Sequence, residues 1–226
     1  MSLKLYYHPF ASFCQKVLIA LYEKDIPFER LLVDLGDEGS RTAFKVVWPI
    51  GKFPVLRDEA ADRTIPETSI IIEYLDRQYP DGPRLIGADP EIALETRLWD
   101  RFYDQYVSVP LTKLVIDHIR PAGARDSQGV AEAGALLQTA YGVADERMRN
   151  REWAAGDRFG MADCAAAPAL FYAELVLPFT ETHTHLSGYF DRLMRRPSFA
   201  RAVEEAKPYR HLFPVPGAAW ERVASR

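Results

Sequence analysis

A mixed α/β domain followed by an all-helical domain is the fold class that this 226-residue sequence predicts. Three observations predict it. Strand, helix and strand patterns succeed one another within residues 1–35. Helical periodicity dominates beyond residue 91. Between them lies PDGPRLIGADP, residues 80–90, whose three prolines and two glycines break regular structure and suit a linker. The expected organisation is therefore residues 1–80 as the first domain, 81–90 as the linker and 91–226 as the helical domain.

Leu3, Leu5 and Tyr7 alternate with Lys4 and Tyr6 at the period of a strand, and the PFAS stretch ends it. Cys14, Val17, Leu18 and Leu21 then share one helical face, and Pro27 marks the region beyond that helix. Residues 28–35 read as a second strand, so the opening is a βαβ unit with parallel strands. A polar stretch with Gly36, Gly39 and Ser40 reads as a loop. Val55 and Leu56 suggest another strand, Thr64 and Ile65 a fourth, and Ile71, Leu75 and Tyr79 a helix. The expected order is β-α-β, loop, β-β-α.

In the second domain Leu94, Leu98, Phe102 and Tyr106 recur every four residues, with Pro110 as a possible kink, and Leu137, Tyr141, Ala144 and Met148 repeat the pattern. Further helices are expected over 161–177, 186–195 and 198–207, and the proline-rich HLFPVPGAAW is expected to be irregular.

Composition narrows the partners. A net charge of −4 and a pI near 5.8 argue against nucleic acid or an anionic membrane as the main partner. No segment approaches the roughly 18 consecutive apolar residues of a membrane span. The start MSLKLYYHPF lacks the long apolar stretch of a secretory signal, and two cysteines are too few for a disulfide framework, so a cytoplasmic location is expected. Cys14, Cys164, His183 and His185 complete no metal-ligand spacing, and no metal is expected. The expected ligand is small.

Three segments carry candidate chemistry. In YYHPFASFCQKV, Ser12 stands where a strand gives way to a helix. It suits an ordinary cap and equally a donor to an anion, since a helix start offers free N–H groups and a positive dipole end. In GKFPVL, Phe53-Pro54 introduces a strand. In PETSIII, Glu67 and Thr68 open a helix, either as caps or as a hydroxyl and a carboxylate for an amino-acid headgroup.

Together these segments resemble the glutathione transferase superfamily. Its thioredoxin-like first domain carries a catalytic Ser, Tyr or Cys after the first strand, a cis proline before the third, and a Glu/Gln-Ser/Thr pair opening the third helix. YLDRQYP resembles the family's domain junction, and AAGDRFGMADCAAAPAL its sixth helix, where Gly160 replaces the usual Ser or Thr and leaves Asp163 to bond a backbone N–H.

The resemblance implies a homodimeric transferase that activates glutathione as a thiolate for attack on a hydrophobic electrophile, a detoxification chemistry. Glutathione is its co-substrate. By the same resemblance Ser12 is the catalytic group, and Ser12, Phe13, Lys52, Phe53, Pro54, Glu67 and Thr68 bind glutathione. Phe53 would meet the cysteinyl part through its backbone, Glu67 and Thr68 the γ-glutamyl end, and Lys52 the glycyl carboxylate.

Ala11 occupies the position three residues before Cys14 where the superfamily often has its hydroxyl or thiol, which is why the role passes to Ser12. Tyr7 and Cys14 are its rivals, although Cys14 also reads as core. Phe10, Phe13, Tyr103, Tyr106 and Trp220 are candidate walls of the electrophile pocket, and Asp100 or Asp104 of a neighbouring copy could reach the glutathione site. A glutathione-dependent isomerase or dehalogenase, and a non-catalytic binder on the same fold, share these features.

Overall fold

The computed structural model describes residues 2–215 and 219–226. The N-terminal domain is built on a four-stranded mixed sheet in the order β2-β1-β3-β4, from β1 (Leu3–Tyr7), β2 (Glu29–Leu32), β3 (Val55–Asp58) and β4 (Arg63–Pro66). β1 pairs parallel to β2, and β3 runs antiparallel to both β1 and β4. The period-2 pattern of β1 does what it predicts. Leu3, Leu5 and Tyr7 are buried against Cys14, Val17, Leu18 and Leu21 of α1 (Ser12–Glu23) and Ile71 and Leu75 of α3 (Thr68–Gln78).

Between β2 and β3 the structure has a helix, α2 (Glu38–Val47), where the sequence reading expects a loop. Only Phe44 of this helix is buried, so it carries no apolar stripe that periodicity could reveal. Its start is a cap: the Asp37 carboxylate accepts from the Ser40 N–H at 2.6 Å.

The second domain comprises α4 (Pro90–Phe102), a π-helical turn (Tyr103–Ser108), α5 (Val109–Ile119), a short 3-10 turn (Ala122–Ala124), α6 (Ser127–Met148), α7 (Met161–Val176), α8 (Thr184–Met194), α9 (Pro197–Ala206), a 3-10 turn (Lys207–Leu212) and α10 (Trp220–Ala224). α7 is its axis. Every residue from Met161 to Leu175 is buried, and the run of alanines lets α1 and α4 pack closely on it.

The stripe on α6 is core, as expected: Leu137, Tyr141, Ala144 and Met148 are all buried. The stripe expected on α4 is not. Leu94 is 63% and Leu98 61% exposed, because the inward face of α4 carries Thr96 and Asp100 instead. Pro110 stands two residues beyond the π turn, in the first turn of α5, on backbone that runs helically from α4 through Val109. The C-terminal stretch expected to be irregular begins within the 3-10 turn, which includes His211 and Leu212, and ends where α10 starts at Trp220; residues 216–218 within it lie outside the described residues.

Asp163 ties the start of α7 to its surroundings. Its carboxylate accepts from the N–H of Gly160 and of Ala154, each at 2.9 Å, and from the Tyr189 hydroxyl at 2.5 Å. Gly160 is required for a steric reason, since a Cβ there would meet the Leu85 carbonyl oxygen at 2.7 Å. That carbonyl accepts the Met161 N–H.

Asp163→Ala strips three buried donors of their acceptor and is expected to cost about 2–4 kcal/mol, read as a fall in the thermal midpoint. Burial pushes the Asp163 carboxyl up to about 6 from 3.8, so the folded chain holds this proton more tightly than the unfolded one. This contribution is present at low pH and is lost as pH rises through about 6. The penalty of the substitution should therefore be larger at pH 5 than at pH 7, by about 1 kcal/mol.

Candidate functional site

α1 begins without a side-chain cap. Ala11 is its N-cap, in extended conformation with φ −86° and ψ 125°, so the first N–H groups of the helix, from Ser12 onward, have no partner within it. The loop before it is held from both domains: the Tyr172 hydroxyl of α7 donates to the Phe10 carbonyl at 2.6 Å, and the Gln15 amide of α1 itself donates to the Pro9 carbonyl at 3.0 Å.

The rivals of Ser12 occupy different surroundings. Cys14 is fully buried, its sulfur accepts the His8 N–H at 3.5 Å, and burial pushes its thiol well up. That is core chemistry rather than a nucleophile's. Tyr7 lies on the buried face of β1, and burial raises its phenol as well, with Arg30 opposing.

Phe53-Pro54 is a cis peptide bond, immediately before β3. At the other end of the site, Glu67 precedes α3 with φ 67° and ψ 118°, a left-handed backbone for a residue with a Cβ. Such conformations cost on the order of 1–3 kcal/mol and concentrate where ligands bind. Nothing in the sequence signals it.

These parts meet at a cavity of about 370 Å³ between the two domains. One wall comprises Phe13, Trp48, Lys52, Phe53, Pro54, Glu67 and Thr68, which includes six of the seven residues assigned to glutathione by resemblance. Ser12 is not on the wall; it stands beside Phe13 as the first residue of α1, partly buried. The opposite wall is Arg101, Asp104, Gln105, Val109 and Thr112.

Of the aromatic residues expected to wall an electrophile pocket, only Phe13 lines this cavity. Tyr103 is fully buried in the helical core, and Tyr106 is exposed with its ring against Phe102 at 5.6 Å. Phe10 packs with Trp220 at 5.6 Å and Tyr172 at 5.7 Å in a cluster of its own. The buried face of the helix is the reason: Tyr103 continues the inward series of Thr96, Asp100 and Val107, and Tyr106 the exposed series of Leu94 and Leu98, while Asp104 and Gln105 reach the cavity from the π turn.

Another depression, of about 660 Å³ beside α6, contains none of the candidate residues, and its Arg147 and Arg151 are paired with Glu95. Among the described residues no group of His, Cys, Asp or Glu has a metal-binding arrangement, and no helix is long and apolar enough to cross a membrane. His183 precedes α8 with its ring edge-on to Tyr141, at 5.7 Å.

Behind the cavity lies a buried ionic cluster that sequence reading missed. Lys16 of α1 is only 1% exposed and pairs with Asp100 at 2.6 Å and Asp104 at 2.8 Å. Its ammonium also donates to the Ser69 hydroxyl at 3.1 Å, which in turn donates to Asp100 at 2.6 Å. Burial raises the Asp104 carboxyl, against the pull of Lys16. Asp100 and Asp104, expected to be free to reach a neighbouring copy's site, are thus buried and occupied within their own chain.

A βαβα-ββα domain that presents a cis proline and two helix starts to one cavity defines the thioredoxin-like class of ligand-binding domains, here closed on its open side by a helical domain. The family models for the glutathione S-transferase N-terminal and C-terminal domains match residues 5–84 and 102–197. The chain belongs to the glutathione S-transferase superfamily.

It is 27% identical over 212 residues to a glutathione S-transferase of Hyoscyamus muticus, covering 90% of this chain and 99% of the relative. It is 26% identical over 192 residues to glutathione S-transferase GstB of Escherichia coli K12, covering 84% and 91%. Among solved structures, a Methylobacillus flagellatus glutathione S-transferase with glutathione bound superposes with a TM-score of 0.82 at 27% identity, over 89% of this chain and 98% of that one. A Methylobacterium radiotolerans glutathione S-transferase in complex with glutathione sulfonate gives 0.79 at 28% identity, over 88% and 93%.

Replacing Lys16 by Met removes the buried one of the two cations that Asp100 and Asp104 share, leaving them only the half-exposed Arg101. We expect Lys16→Met to destabilise the protein by about 3–5 kcal/mol, measured as a fall in the denaturant midpoint. An unchanged midpoint would show that water or rearrangement compensates the pair.

Proposed function

We propose that this chain is a glutathione transferase that binds glutathione in the interdomain cavity and directs its thiolate at a hydrophobic electrophile. The observation that carries this reading is the convergence on one cavity of the Phe53-Pro54 loop, the Glu67-Thr68 start of α3 and Phe13 in the first turn of α1. Phe53 offers its backbone to the cysteinyl part, Glu67 and Thr68 hold the γ-glutamyl end, and Lys52 takes the glycyl carboxylate. The electrophile enters against Phe13 and Val109.

The chemical task is to deprotonate a thiol near neutral pH. A free thiol has a pKa near 8.5, and each unit of lowering requires about 1.4 kcal/mol of preference for the anion. Free N–H groups at the start of α1, the helix dipole and one hydroxyl can together supply this for one or two units. Ser12 is the hydroxyl of choice because Ala11 has none and Tyr7 is buried on the sheet's inner face.

Leu94 and Leu98 on α4, Ile70 on α3 and Tyr106 form exposed apolar surface, which supports a homodimer covering that face. The two buried, unpaired cysteines suit a cytoplasmic location.

Turnover of aryl halides, isothiocyanates and organic peroxides with glutathione tests the reading, and no turnover with any of them would favour a binder. Ser12→Ala should raise the pKa of bound glutathione, read from thiolate absorbance against pH, by about one unit, while Tyr7→Phe leaves it unchanged. A shift with Tyr7→Phe alone would transfer the role to Tyr7. Light scattering at micromolar concentration should give twice the chain mass, and Leu98→Glu should give a monomer.

A further inference from the structure

Arg101 comes from the helical domain and reaches the cavity beside the start of α3, and nothing above uses it. Its guanidinium is aimed by three neighbours. Nε donates to Asp100 at 3.2 Å, and Nη2 donates to the Ser69 hydroxyl at 2.9 Å and to the Asp104 carboxylate. Ser69 directly follows Thr68, so the guanidinium lies one residue from the start of α3. The remaining nitrogen, Nη1, has no hydrogen-bond or ion-pair partner among the described residues, and the side chain is 48% exposed and lines the cavity. A planar cation fixed through Nε and Nη2, with Nη1 left to donate, is preorganised for a carboxylate oxygen.

Charge counting says which carboxylate. Lys16 and Arg101 balance Asp100 and Asp104, so the cluster is neutral and favours a ligand end that is itself neutral overall but carries both signs. The cavity wall as a whole is balanced too, with the cations Lys52 and Arg101 and the anions Glu67 and Asp104. The first turn of α3 adds unpaired N–H groups on the side where Arg101 sits. The γ-glutamyl end of glutathione is such a group, an α-ammonium beside an α-carboxylate.

We propose that Arg101 is the residue that binds the α-carboxylate of the γ-glutamyl group, making selection for a zwitterionic γ-glutamyl thiol a property of the second domain as well as of the Glu67-Thr68 pair. This rests on the glutathione reading above. It assigns to Asp100, Asp104 and Ser69 the work of orienting Arg101, and to Lys16 that of holding both carboxylates in place.

Calorimetry on the full chain tests this with three ligands: glutathione, its deamino analogue glutaryl-Cys-Gly and its decarboxy analogue 4-aminobutyryl-Cys-Gly. Arg101→Gln should weaken glutathione and glutaryl-Cys-Gly by about tenfold or more, and leave 4-aminobutyryl-Cys-Gly within about twofold of wild type. Arg101→Lys, which keeps the charge and loses the fork, should fall between. An equal loss for all three ligands would overturn the proposal in favour of a structural role, and no loss for any would overturn it outright. Both of those leave glutathione binding by the wild type intact. Failure of the wild type to bind glutathione at all would overturn the underlying reading together with this one.

Discussion

Lys16 is a cation with no access to water, and the two carboxylates that neutralise it belong to the other domain. Removing such charges from solvent is costly unless each finds its partners at good geometry. The requirement constrains how α1 sits against α4 and the π turn far more tightly than apolar contact alone. It also explains why α1 is buried on two sides: Cys14, Val17, Leu18 and Leu21 face the sheet, while Ile19 and Ala20 join the helical core. Because the cavity is walled by residues of both domains, its width is set by this junction.

The parts of the site that were legible in the sequence are those made by backbone at the ends of regular elements. The β1 alternation and the apolar face of α1 are local patterns, and they marked the strand-to-helix turn. Phe53-Pro54 and Glu67-Thr68 were legible through resemblance, because proline and a paired acid and hydroxyl leave recognisable letters. The positive φ of Glu67 was not, since nothing about a glutamate announces a left-handed backbone.

The far wall was invisible for a different reason. Leu94, Leu98 and Tyr106 share one helical face and that face is exposed, while Thr96, Asp100, Tyr103 and Val107 hold the inward one, and Asp104 and Gln105 reach the cavity. Amphipathic periodicity identifies an apolar face but not what covers it, and on α4 the buried face is the one with Thr96 and Asp100.

The two walls of the cavity differ in how much the rest of the molecule relies on them. Pro54 and Thr68 are buried in the first domain, and Phe53 packs against two of its apolar clusters. Gln105, Val109 and Thr112 are exposed side chains projecting from helices whose packing is carried by other residues. Change at these three positions carries little folding penalty, so this part of the cavity wall can vary over generations while the wall built from the first domain stands still. The architecture separates what must be inherited from what is open to selection.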